Sequence, residues 1–183
     1  MKKVKSYQDT MIKKYELTNE SMEHEGLTLY RIRALRDFGR VTKGDLGGYI
    51  EKESNLSHKG DCWVFDNGKV YNEACVLEGA RIYNFAQVYE FARVGGRSRV
   101  FNCAKVYGNA NVFGHTYIYT GARVFGHARV YDRAHVSEYA RISGFVFVFE
   151  DAMVEGFYEV SGHEILGGLQ CYGGWGETPI HHL

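Results

Sequence analysis

Three arginines, two histidines and three aromatic residues recur at intervals of 18 in the middle of the sequence. Arg97, His115 and Arg133 form one series, Arg99, Tyr117 and His135 a second two positions later, and Phe101 and Tyr119 stand beside them. Guanidinium groups meet phosphate or carboxylate with a fixed fork of donors, and aromatic faces stack on flat rings or cations. Histidine titrates near neutrality and can take a proton from an attacking hydroxyl or amine. The expected site is therefore non-catalytic and holds an anionic small ligand through all eight residues. The alternative is a proton-transfer role for His115 as general base.

The interval has meaning only if the chain places residues 18 apart above one another, and the sequence says that it does. An aliphatic residue recurs every six positions from Val64 to Leu166, eighteen times in succession. Four places after most of these stands a small residue, as at Ala74, Ala104 and Ala128. Two places after stands a turn former, as at Asn72, Gly108 and Asp132. A period of six suits neither an α-helix nor a free-standing strand. It suits short strands joined by corners, three hexads to a triangular coil, with aliphatic and small residues inside. Outward residues then form vertical columns. Aromatic columns cover the faces, with Tyr71, Tyr89, Tyr107 and Phe125 in one and Phe65, Tyr83, Phe101 and Tyr119 in another. Stacked cations at ~5 Å repel, so Arg97, His115 and Arg133 require a counter-charge from Asp132, Asp151, a neighbouring copy or a bound anion. The map also separates the two Gly-His pairs: His127 shares its column with Asn109, Phe145 and His163, away from His115.

The two ends read as covers for an open stack, whose first and last coils expose unpaired backbone groups. Residues 13–35 alternate like a hairpin, and 41–63 are expected to form an irregular first coil with Leu46, Ile50, Leu56 and Trp63 inside. The expected divisions are a hairpin cap over 1–40, the repeat over 41–166, and a cap or tail over 167–183.

Composition narrows the function. Lysine plus arginine equals aspartate plus glutamate at 22 each, and no nucleic-acid motif is present, so a nucleic-acid partner is not expected. The charge is nevertheless uneven: residues 64–147 carry 10 basic and 6 acidic side chains, and 148–183 carry 6 acidic and none basic. An anion site belongs in the middle. No apolar run approaches the ~18–20 residues that span a bilayer, and the basic start lacks the apolar core of a secretory signal, so a cytoplasmic protein without a membrane partner is expected. Cys62, Cys75, Cys103 and Cys171 have neither paired nor zinc spacing, so free thiols and no metal are expected.

The hexads "VYGNAN", "VFGHAR" and "VYDRAH" resemble the hexapeptide-repeat superfamily over residues 64–166. That resemblance implies an all-β, left-handed parallel β-helix of about six 18-residue coils, a homotrimer, and a histidine base between adjacent prisms with acyl-CoA as cosubstrate. "GDLGGYI" and "NLSHKGDCWVFDN" are similar to segments of small bacterial and phage-type proteins labelled only as transferases, and fold alone does not fix function. No loop interrupts the repeat to build an acceptor pocket, and no helix follows to cover a CoA arm. The expectation is accordingly a binding protein without a cofactor, with sequestration of a nucleotide signal as one use; an acyltransferase and a structural adaptor are the alternatives.

Overall fold

The computed structural model of this chain describes residues 12–168 and 171–173. Each hexad contributes a two-residue strand, and successive strands turn onto successive faces, as Lys69–Val70, Cys75–Val76 and Arg81–Ile82 do on the first, second and third. Each pairs in parallel with the strand 18 residues on: Val106 with Val124, Val112 with Val130, Val100 with Ile118. The second residue of each strand points inward, so Val100, Val106 and Val112, with Ala104 and Ala110 from the corners, are fully buried. Aliphatic residues fill the faces and small residues the corners, at the density a protein interior demands.

The parallel stack is about seven coils high. The periodic hexads supply six, and the irregular first coil joins beneath them, pairing Ile50 with Val70 and Leu56 with Val76. Eight residues separate Leu56 from Val64 instead of six, so this coil is longer than the rest. Trp63 is 1% exposed, but Leu46 is 50% exposed rather than inside. The ladder beneath it slips between Arg31 and Arg33, and beyond the slip Leu46 faces solvent.

The corners rest on a repeated device. The residue two after each aliphatic one lies in the left-handed region, with φ of 53° at Asp66, 59° at Glu78 and 57° at Glu90. For a residue bearing a Cβ that conformation costs about 1–2 kcal/mol. The side chain offsets the cost by accepting the corner N–H of the coil above: Asp66 Oδ2 from Asn84 at 3.0 Å, Glu90 Oε2 from Gly108 at 2.9 Å, Asp132 Oδ2 from Glu150 at 3.1 Å.

At the first coil, β1 (Tyr15–His24) and β2 (Leu27–Ala34) form an antiparallel hairpin, and β2 pairs antiparallel with β3 (Leu46–Ile50), which opens the parallel stack. The hairpin thus covers the lower edge of the first face. Its leading residues reach under the coil as well. The Lys14 ammonium donates to the carbonyls of Gly60 and Cys62 at 3.3 and 2.8 Å, and the Tyr15 hydroxyl to those of Glu53 and Leu56 at 2.8 Å each. At the far end, backbone pairing continues to Cys171–Gly173 beside Met153–Glu155. Most of the expected cap or tail over 167–183 lies outside the described residues.

Candidate functional site

Arg97, His115, Arg133 and Asp151 follow the left-handed positions Gly96, Gly114, Asp132 and Glu150, one per coil, at the corner between the second and third faces. The coils bind one another here through His115 N–H to the Asp132 carbonyl at 2.5 Å and Arg133 N–H to that of Glu150 at 2.9 Å. At Gly96 an added Cβ would lie 2.5 Å from the carbonyl oxygen and 2.6 Å from the nitrogen of Gly114, so any side chain here would force these two coils to shift. Gly96 and Gly114 also lack a side chain that could cap the corner above, as Glu78 caps Gly96 and Asp132 caps Glu150; Gly108 and Gly126 of the His127 corner lack one in the same way. Among the described residues, the N–H groups of Gly114 and Asp132 therefore have no protein acceptor.

A groove of about 730 Å³ opens at this corner, lined by Gly114, His115, Asp132, Arg133, Glu150, Asp151 and Gly168. Arg133 forms a bidentate pair with Asp151, both contacts 2.5 Å, which supplies the counter-charge from within the chain. Hydrogen bonding to Arg133 holds the Asp151 carboxyl below its usual range. Arg97 and His115 are both exposed. Neither side chain makes an ion pair or hydrogen bond within the described residues, so the imidazole is free to meet a ligand.

The other five residues lie on the adjoining third face. The Arg99 guanidinium sits over the Tyr117 ring at 5.3 Å, Tyr117 stacks on His135 at 4.7 Å, His135 meets Tyr119 edge-on at 6.4 Å, and Phe101 stacks on Tyr119 at 5.0 Å. Burial in this stack pushes the His135 imidazole below its ordinary value, opposed in part by the Asp151 charge. The eight sequence-predicted residues thus fall into two adjacent groups, a corner and a face, joined by the step from His115 to Tyr117. His127 stands elsewhere, stacked on Phe145 at 4.7 Å, with His163 beyond at 5.2 Å.

Sequence reasoning missed Arg81, Tyr83 and Asn84. Arg81 pairs in register with Arg99, and Tyr83 and Asn84 line a second cavity of about 210 Å³ with Arg99, Phe101 and Tyr117. Their signal was the 18-residue spacing itself, followed one coil lower. Among the described residues no three His, Cys, Asp or Glu side chains gather as a metal site. Cys62, Cys75 and Cys103 are free thiols, and no helix is long and apolar enough to cross a membrane.

No family model matches the chain. Among curated proteins it is similar to the "Uncharacterized acetyltransferase YdcK" of Escherichia coli (strain K12), 33% identical over 67 residues, which cover 32% of this chain and 21% of that protein. The match therefore spans about a fifth of that relative's length. By its six-residue period and its stacked parallel coils, the chain is a hexapeptide-repeat parallel β-helix.

Proposed function

We propose that this protein is an acyltransferase-type β-helix that moves an acyl group from acyl-CoA to a hydroxyl or amine, with His115 as general base. The observation that carries the reading is the corner at His115. Among the described residues, an unengaged, exposed imidazole stands beside the N–H groups of Gly114 and Asp132, which lack protein acceptors there, within an open groove. The neutral imidazole takes the acceptor's proton as its oxygen or nitrogen adds to the thioester carbonyl. The free N–H groups are the donors available to the resulting oxyanion. Collapse breaks the carbon–sulfur bond, and the imidazolium returns the proton to the departing thiolate. General-base help of this kind contributes about 10²- to 10⁴-fold. A second prism packed on the open groove would close it, and a homotrimer is the assembly we propose. The likeness to a protein named as an acetyltransferase supports the same class of reaction.

The test is thiol release from acetyl-CoA with a panel of amine and hydroxyl acceptors. Wild type should exceed spontaneous hydrolysis, and His115→Ala should lose about 10²-fold or more with an unchanged melting curve. Equal rates in the two proteins would remove His115 from the chemistry. A second reading, capture of an anionic ligand without turnover, is favoured by a separate observation on the third face, where Arg81 and Arg99 stand together with no carboxylate at ion-pair distance among the described residues.

A further inference from the structure

The two aromatic columns differ in one place. On the first face the rings run unbroken from Tyr71 through Tyr89 and Tyr107 to Phe125, with centroids 5.0, 4.9 and 4.9 Å apart and planes within 4°. The coil rise therefore permits continuous stacking. On the third face Phe65 stacks on Tyr83 at 4.7 Å and Phe101 on Tyr119 at 5.0 Å, but Tyr83 and Phe101, the same 18 residues apart, form no ring pair. The cavity of about 210 Å³ opens at that break, between Tyr83 and Phe101, with Arg99 and Tyr117 beside it. Asn84 at the rim has both ends of its amide engaged, Nδ2 with Asp66 and Oδ1 with the Asn102 N–H. It shapes the opening and leaves recognition to the rings.

Charge adds a second, independent observation. Arg81 and Arg99 pair in register on neighbouring strands, and among the described residues neither has a carboxylate at ion-pair distance. Two unneutralised guanidinium groups on adjacent coils repel and favour an anion shared between them. Arg99 is held over Tyr117, which His135 backs, so its head is positioned beside the cavity mouth.

We infer that the break between Tyr83 and Phe101 is a ring slot that takes the base of a nucleotide, with the phosphate outside on Arg99 and Arg81. Cavities that enclose a whole drug-sized ligand measure about 300–1,000 Å³. This one is smaller and suits a single flat ring system whose substituent stays outside. Aromatic faces accept any base, so the slot selects a flat heterocycle with an attached phosphate rather than a particular base. The inference deepens the ligand-capture reading and requires no turnover at His115. A free nucleotide and the nucleotide end of coenzyme A share this chemistry.

The experiment is calorimetric titration of the full chain with AMP, adenosine, ribose 5-phosphate and coenzyme A. AMP should bind, adenosine should bind more weakly, and ribose 5-phosphate should not bind at AMP concentrations that saturate. Phe101→Ala and Tyr83→Ala should each lose about 5- to 150-fold in AMP affinity, the loss of one base–aromatic stack. Arg99→Gln should bring AMP down to the level of adenosine. His115→Ala should bind AMP as wild type does, so transfer can fail while the slot stands, or the slot fail while transfer stands. Coenzyme A binding as tightly as AMP assigns the slot to the acyl donor; binding of AMP alone assigns it to a free nucleotide. All four side chains point outward and are incompletely buried, and circular dichroism melts verify that each variant is folded. Absence of AMP binding at millimolar concentration, equal binding of AMP and adenosine, or folded Phe101→Ala and Tyr83→Ala variants with wild-type affinity would each overturn the inference.

Discussion

Thr120 takes the left-handed corner position with φ 58°, a conformation that suits a β-branched residue badly. Asparagine tolerates it and, at Asn84, accepts the N–H of the next corner, Asn102, at 3.3 Å. Thr120→Asn should therefore stabilise the fold by about 1 kcal/mol, read as a rise of roughly 2–4 °C in melting temperature; no rise would mean that the corner is not strained. Gly96→Ala should do the reverse, because its Cβ meets Gly114 backbone and not a movable side chain, at a cost of at least about 2 kcal/mol. His135 carries the pH dependence. Its folded imidazole is held below its ordinary value by burial, so below that ordinary value, about 6.5, the unfolded chain binds the proton more readily. Stability is then full above about pH 6.5 and declines as pH falls towards the folded value. Urea titrations across that window should show a shallower decline for His135→Asn than for wild type, and identical slopes would exclude His135 as the cause. Turn residues at the corners were legible because asparagine, aspartate and glycine announce them. The six-residue period placed Glu78 and Glu90 at corners as well; what it did not reveal is the role of each as acceptor for the N–H of the residue 18 places on.

Two-residue strands make few bonds within any one coil, so the columns between coils determine whether the stack is rigid. The ring ladder of the first face illustrates this, since Tyr107 touches a ring both above and below. Burial, with the neighbouring phenol of Tyr107, pushes the Tyr89 hydroxyl up to about 12. Tyr107→Ala removes two stacks and should cost about 1–3 kcal/mol beyond lost area. A double-mutant cycle of Tyr89 and Tyr107 should give a coupling of about 0.5–1.5 kcal/mol, and additive losses would show that the rings only stand near one another. The ladder was readable from spacing alone. Its interruption between Tyr83 and Phe101 was not, because the period fixes where a side chain is attached and not which rotamer it adopts. The candidate site divides the same way. The column of Arg97, His115 and Arg133, with Asp151 as one candidate counter-charge, followed from arithmetic, while the choice of Asp151 over Asp132 and the uncapped N–H groups of Gly114 and Asp132 depend on groups meeting across coils.

A stack of parallel coils can grow at either end, so the whole molecule depends on how its lower end is closed. A hairpin there was legible from alternating residues, and its pairing of β2 with β3 covers the edge of the first face. What the alternation did not reveal is the reach of Lys14 and Tyr15 beneath the coil, where they satisfy carbonyls of Glu53, Leu56, Gly60 and Cys62 that no lower strand could meet. Burial lowers the tendency of the Lys14 amine to hold its proton, and the neighbouring Cys62 sulfur only partly opposes this. The side chain is therefore committed to the closure and not to solvent. Tyr15→Phe keeps the packing of the ring against Trp63 and His58 but takes the hydroxyl from the Leu56 carbonyl and leaves that of Glu53 with the Leu56 N–H alone, at about 1–3 kcal/mol. The expected result is a melting temperature lower by several degrees with the association state unchanged. Removal of residues 1–44 goes further, because it exposes the lower edge of β3 together with those carbonyls. Unpaired parallel edges template one another, so the shortened chain should associate in a concentration-dependent way in sedimentation velocity, under conditions where the intact chain keeps a fixed size. A shortened chain of the same constant association state as the intact one would show that the coils close their own end and that the hairpin serves another purpose.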